Sequence, residues 1–297
     1  MPGGSFRALR ERSPVKTAKT KMQALNKPRP NIPGGEILDK NEVNVILFEG
    51  FDKADLKGAT VIGGFPSIGL VSTIAANYLI DVLGLRHIGI LDCRDFPALA
   101  VVHDSEPLAP VRVYAGKKCQ KKKSAECVVV FVSEFQPAQQ LMRPISDAVM
   151  DFVKQNGCDL MISPEGIVLE GALSEDEVVD VFAIGSTEKA RGLLTEKGIK
   201  QFSNGIIAGI SGLTLTRGKR EGIDAISMLA EANPDFPDAR GAAAIIETIA
   251  NLIDLDIDVG PLYDEAERIE KQLMAVQAQA KPITERKTLQ SGPQMYA

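Results

Sequence analysis

The chain has 297 residues, 44% of them hydrophobic and 25% charged, a balance that suits a globular protein long enough to bury a substantial core. A net charge of −5 gives no overall case for nucleic acid or an anionic membrane, and no run approaches the roughly 20 apolar residues of a membrane span. Four cysteines without a C-x-x-C spacing (Cys93, Cys119, Cys127 and Cys158) argue for reduced thiols over a disulfide framework or a zinc site, and the N-terminus has no signal-peptide core, so a cytoplasmic protein is expected.

Residues 1–40 are basic and carry little hydrophobic periodicity. Arg7, Arg10, Arg12, Lys16, Lys19, Lys21, Lys27, Arg29 and Lys40 face only Glu11, Glu36 and Asp39, and Pro28, Pro30 and Pro33 interrupt any regular element. Such a segment buries too little apolar surface to offset its ordering entropy, so a disordered tail is expected. A basic arm also suits nucleic acid or an acidic surface, but Phe6 is its one aromatic residue, which leaves base stacking unsupported.

The folded body is expected over 41–258. Residues 43–48 and 59–64 predict strands, and the apolar spacing of Ile68, Val71, Ile74, Ala75, Tyr78 and Leu79 predicts a helix over 67–83. Between them lies Gly63-Gly64-Phe65-Pro66-Ser67-Ile68-Gly69-Leu70, with Pro66 expected near the helix start. A glycine-rich strand-to-helix turn suits either phosphate binding or tight packing. The stretch lacks both the Lys-Ser/Thr of a P-loop and dinucleotide-fingerprint spacing, so packing is the plainer reading. Further strands are predicted at 85–91, 99–102, 111–115, 127–132, 160–163, 178–184, 205–210 and 225–229. Helices are predicted from Pro137 to a stop at Gly157, over 186–197 ending at Gly198, and from an Asp238 cap through Leu252. Strands alternating with helices, several of them apolar throughout, predict an α/β fold with a largely buried mixed sheet. The basic loop 117–123 suits an exposed hairpin tip, or an acidic partner.

From 259 to 280, Leu262, Ala266, Ile269, Leu273, Val276 and Ala280 recur at spacings of four and three, predicting an amphipathic helix. Its seam suits packing on its own body or self-association. Residues 281–297 are expected to be a flexible tail ending in Met295-Tyr296-Ala297.

Catalytic groups are sparse. The two histidines, His87 and His103, fall at predicted strand ends without a neighbouring ligand at metal spacing, and no metal or cofactor is expected. Ser67 has the position of a nucleophile elbow but not its G-x-S-x-G sequence. Glu134, Glu165 and Glu170 follow strands, where α/β ligand sites form, though carboxylates there also serve as caps and solvated edges.

Taken in order, several pieces resemble the archaeal and eukaryotic proteasome assembly chaperone family. They are Gly64-Phe65-Pro66-Ser67-Ile68-Gly69-Leu70-Val71 with its helix through Tyr78-Leu79, Asp95-Phe96-Pro97, Glu134-Phe135-Gln136-Pro137, Gly205-Ile206-Ile207-Ala208-Gly209-Ile210-Ser211-Gly212, and Leu229-Ala230-Glu231-Ala232 leading to Pro237-Asp238. The resemblance spans about 43–275. It implies a three-layer α/β/α sandwich of phosphorylase-like architecture used for binding, and no enzyme. Some members end in a hydrophobic–tyrosine–any tripeptide that docks between α subunits of the proteasome core particle. Met295, Tyr296 and Ala297 match it position by position.

A carboxylate at Ala297 suits a lysine or backbone N–H groups in a concave site, Tyr296 brings a ring with a polar tip, and Met295 is an adaptable apolar filler. The resemblance thus implies an ATP-independent assembly chaperone, with gate opening as a further effect. Its partners would be core-particle α subunits, further copies of itself and a paralogous chaperone, with no nucleic acid and no membrane. The alternative is a small-ligand binder, or a hydrolase- or phosphorylase-like enzyme, using the turn from Gly63 to Gly69.

Overall fold

The structure is a computed structural model that describes residues 42–50, 53–103, 105–117, 127–168 and 179–264. The basic tail 1–40, nearly all of the lysine loop, Cys119, Glu170, most of the 259–280 helix and the tail with Met295, Tyr296 and Ala297 lie outside the described residues.

Eleven strands are described: β1 (Val43–Leu47), β2 (Thr60–Gly64), β3 (Arg86–Cys93), β4 (Val101–His103), β5 (Glu106–Leu108), β6 (Val111–Lys117), β7 (Cys127–Ser133), β8 (Leu160–Ile167), β9 (Val181–Gly185), β10 (Lys200–Gln201) and β11 (Ala225–Glu231). Nine form one sheet in the order β1-β3-β6-β7-β2-β8-β11-β9-β10, and β4 and β5 pair as a separate hairpin. Its middle, β7-β2-β8-β11, is parallel, whereas β1, β3 and β6 join β7 antiparallel and β9 runs antiparallel to β11. The expected mixed sheet is therefore present.

Among the described residues five α-helices cover it: α1 (Val71–Val82), α2 (Gln139–Gln155), α3 (Glu188–Glu196), α4 (Gly209–Glu221) and α5 (Ala239–Leu252). Strand alternation sorts the apolar side chains into two cores. Val128, Val130 and Val132 of β7 and Ile62 of β2 face α1, α3 and α5. Val129, Phe131 and Val61 face α2 and α4. The fold is the expected three-layer α/β/α sandwich. Every residue of β7 is buried, as a strand covered on both faces requires. A helical turn over 260–264 follows, and its Leu262, with Val259 just before it, is buried in the first core.

Helix ends follow their local chemistry. The Asp238 side chain accepts from the Gly241 N–H at 2.9 Å and caps α5. Gly157 and Gly198 close α2 and α3 with φ of 63° and 68°, which only glycine adopts without strain.

Two expectations are corrected. The predicted strand at 205–210 is a loop running into α4. The isoleucines there mimic a buried strand, yet Ile206 is 94% exposed, and the Gly, Ser and Thr of 209–221 hide a helix by their weak propensity. Tertiary packing of Ile210, Ser211, Thr214, Leu215 and Gly218, one stripe at helical spacing, holds it. The helix predicted from 67 starts only at Val71, after a 3-10 turn (Ile68–Leu70), so Pro66 stands five residues upstream of it.

Candidate functional site

The parallel strands β7, β2, β8 and β11 end at one edge of the sheet, where ligand sites of open α/β sheets form. Leaving β2, the chain runs Phe65-Pro66-Ser67 into a turn in which Gly69 (φ 60°) and Leu70 (φ 52°) are both left-handed. For a leucine this conformation costs about 1–2 kcal/mol. Several bonds hold it. The Asp238 N–H donates to the Gly69 carbonyl at 2.8 Å, and Ser67 Oγ accepts from the N–H groups of Ser72 and Gly166, each at 3.2 Å. The Ser67 and Ser72 hydroxyls bond each other at 2.8 Å, and Ser72 also donates to the Pro164 carbonyl. Ser67 is thus a strut between β8 and α1, and the groups bonded to it include no base.

The glycines serve packing. A Cβ on Gly64 would lie 2.2 Å from the Ala76 Cβ, and one on Gly166 would lie 2.0 Å from the Ile68 carbonyl oxygen. Strand β2 therefore touches α1, and the turn touches β8, backbone to backbone. The packing reading of the turn holds over the phosphate one.

Beside the turn opens a cleft of about 550 Å³, walled by β2 and β8 ends, the start of α2 and the loop into α4. Its walls are mainly apolar, with Phe65, Met142, Phe202, Ile207 and Ile210 among them. Glu165, singled out from the sequence, is the one titratable side chain lining it among the described residues. The Ser211 hydroxyl donates to Glu165 Oε1, and burial pushes this carboxyl up to about 7 against that single hydrogen bond. Ser211 is not legible as a site residue because it follows the run predicted as a strand at 205–210, which hides the start of α4.

Glu134 lies outside this cleft lining. It pairs through both carboxylate oxygens with Arg112, which is 3% exposed, one contact measuring 2.8 Å. Arg112 Nε is buried without a partner among the described residues. His87 sits between Phe48 and Tyr114, each ring 5.0 Å away, and burial, then the Arg112 charge, hold it below its ordinary pKa. His103 ends β4. Neither histidine lines the cleft. Cys93 and Cys158 are free thiols, and burial pushes Cys158 up to about 12. Among the described residues no three His, Cys, Asp or Glu side chains gather as metal ligands, and no helix is long and apolar enough to cross a membrane.

Residues 61–277 match the model of the PAC2 family. Among solved structures, PbaA of Pyrococcus furiosus, an archaeal homologue of proteasome-assembly chaperone, is 28% identical. The likeness covers 84% of this chain and 97% of PbaA, with a TM-score of 0.69. PbaB of the same organism, an archaeal proteasome activator, shares the fold at 24% identity and a TM-score of 0.69, over 80% of this chain and 99% of PbaB. An uncharacterized protein of Methanocaldococcus jannaschii is 28% identical over 228 residues, 74% of this chain and 86% of its own.

Proposed function

The chain belongs to the PAC2 family, and on that premise we propose that it is a proteasome core-particle binder that aids assembly of the α subunits, opens the gate of the mature particle, and catalyses no reaction. The observation that carries this reading is the likeness to PbaA along nearly the whole of that chain. We assign the anchoring role to Met295, Tyr296 and Ala297, which enter pockets between neighbouring α subunits. The division of labour that goes with it is a basic arm over 1–40, a body over 41–258, an amphipathic helix over 259–280 and a tether over 281–297. At ~5–6 Å × √n, a flexible stretch over 281–294 reaches about 20 Å, enough for a tail to find a pocket from a body seated above the ring. One tail binds weakly because ordering it is costly. Several tails on one homo-oligomer, or on an assembly with a paralogue, raise the effective concentration and with it the avidity.

The test is co-sedimentation of the full chain, a Met295–Ala297 deletion and Tyr296→Ala with purified archaeal core particle. The full chain is expected in the pellet, with both variants reduced by at least about tenfold in affinity, as loss of a buried aromatic anchor implies. Equal binding by the deletion overturns the tail assignment. If the full chain binds neither core particle nor free α subunits, the whole reading falls.

A further inference from the structure

We propose that the cleft at the carboxyl edge of the sheet is a binding site for a small organic amine, whose apolar body fills the cleft while its protonated nitrogen pairs with Glu165. This site is separate from the tail and stands or falls independently of the core-particle reading.

About 550 Å³ lies within the roughly 300–1,000 Å³ of small-molecule sites, and an apolar wall with few polar groups is their usual lining. The rings of Phe65 and Phe202 and the flexible Met142 offer contact to a flat or compact apolar body. Ile206, almost fully exposed, stands among the lining residues and is an apolar surface for a ligand to cover.

Charge then selects the ligand. Among the described residues Glu165 carries the single formal charge of the lining, and no Lys, Arg or His side chain lines the cleft to balance it. A phosphate or carboxylate would meet a like charge, and the N–H groups of Leu70, Val71 and Ser72 are held by Ser67 O, Ile68 O and Ser67 Oγ. Ser211 engages Oε1, and Oε2 has no protein donor among the described residues. A carboxylate that lines an apolar cleft with only one oxygen satisfied is best completed by a cationic N–H donor, since a charge-assisted hydrogen bond is the strong kind. The elevated pKa of Glu165 agrees with this geometry, because a carboxyl lacking a cationic partner resists ionisation until one arrives. Ser211 holds the carboxyl in place, and its own position comes from the first turn of α4.

The test uses phenethylamine as probe, with 2-phenylethanol as its neutral isostere and phenylacetate as its anion, followed by ligand-observed NMR titration of the full chain at about pH 7.5. Phenethylamine is expected to bind at least about tenfold more tightly than the alcohol, the value of one charge-assisted hydrogen bond, and phenylacetate least of all. Glu165→Gln, which keeps the shape, is expected to erase the preference for the amine while the alcohol is unaffected. Met142→Trp, which fills the cleft, is expected to block both, with circular dichroism confirming that each variant is folded. Equal affinity for amine and alcohol overturns the proposal. So does an amine preference that survives Glu165→Gln, or no amine binding to the folded wild type at about 5 mM, the millimolar limit for a ligand this small.

Discussion

Replacing Gly64 by alanine probes the closest contact between sheet and helix. The new Cβ would fall 2.2 Å from the Ala76 Cβ, 3.1 Å from the Phe131 carbonyl oxygen and 3.3 Å from that of Ser72. Carbon atoms rest at about 3.5–4.0 Å, so α1 has to retreat from β2 by about 1.5 Å. It retreats within a core where Ala75, Leu79 and Ile246 are fully buried. Overpacking generally costs about 1–3 kcal/mol, and since the clashing atoms are fixed directly to backbone we expect the upper end, about 3 kcal/mol. For a body of this size that lowers the Tm by about 6–12 °C. Urea unfolding would read it as a lower midpoint at an unchanged slope. Ala76→Gly alone costs about 1–2 kcal/mol through helix propensity and a lost methyl. The double variant makes room for the new methyl, so it is expected to lie at least about 1 kcal/mol above the sum of the singles. A Gly64→Ala protein within about 0.5 kcal/mol of wild type, or strictly additive singles, refutes the backbone-contact account.

Two further outcomes follow from named contacts. Asp238 caps α5 through Oδ1 and accepts from the Asn233 N–H through Oδ2 at 3.0 Å, so Asp238→Ala is expected to cost about 1–2 kcal/mol in urea unfolding, whereas Asp238→Asn retains part of the cap. Glu165 has its carboxyl pushed up from 4.5 to about 7 in the folded protein, so the native state holds a proton that the unfolded chain releases over that window. Its contribution is fully present below about pH 4.5 and is lost as pH rises through about 7, amounting to at most about 3 kcal/mol. Comparing urea midpoints at pH 5, 6 and 7.5, Glu165→Gln is expected to lack this decline, and parallel profiles would refute the assignment.

Much of the fold is legible in the sequence because its signals are local. The uninterrupted apolar run of β7, the spacing of four in Leu141, Ile145 and Val149, and the Asp238 cap each lead directly to the element observed. Helix α4 is not legible, because its Gly, Ser and Thr residues favour a helix only weakly, and the buried stripe of Ile210, Ser211, Thr214, Leu215 and Gly218 is held by α2 and β11, which come from distant parts of the chain. The start of α1 is likewise set from outside, by bonds from Ser67 to Gly166 and from Gly69 to Asp238, about 100 and 170 residues away. Glu165 is visible as a carboxylate at a strand end, but the hydroxyl that meets it comes from Ser211 at the start of α4, a helix the sequence does not reveal. The terminal tripeptide is legible only through the family resemblance.

The sheet's order also bears on how the chain is built on a ribosome. Strand β2 is made second, yet it lies between β7 and β8, pairing Thr60 with Val128 and with Leu160, 68 and 100 residues downstream. At about 5–20 residues per second, both ladder edges of a strand destined for full burial wait some 5–20 s for the later of these neighbours. The antiparallel ladder β1-β3-β6-β7 is meanwhile complete once Ser133 has emerged, and it offers β7's free edge as the first surface on which β2 can dock. Spatial assembly of this sheet therefore departs from the order of synthesis, and the parallel centre is the last part of the ladder to close.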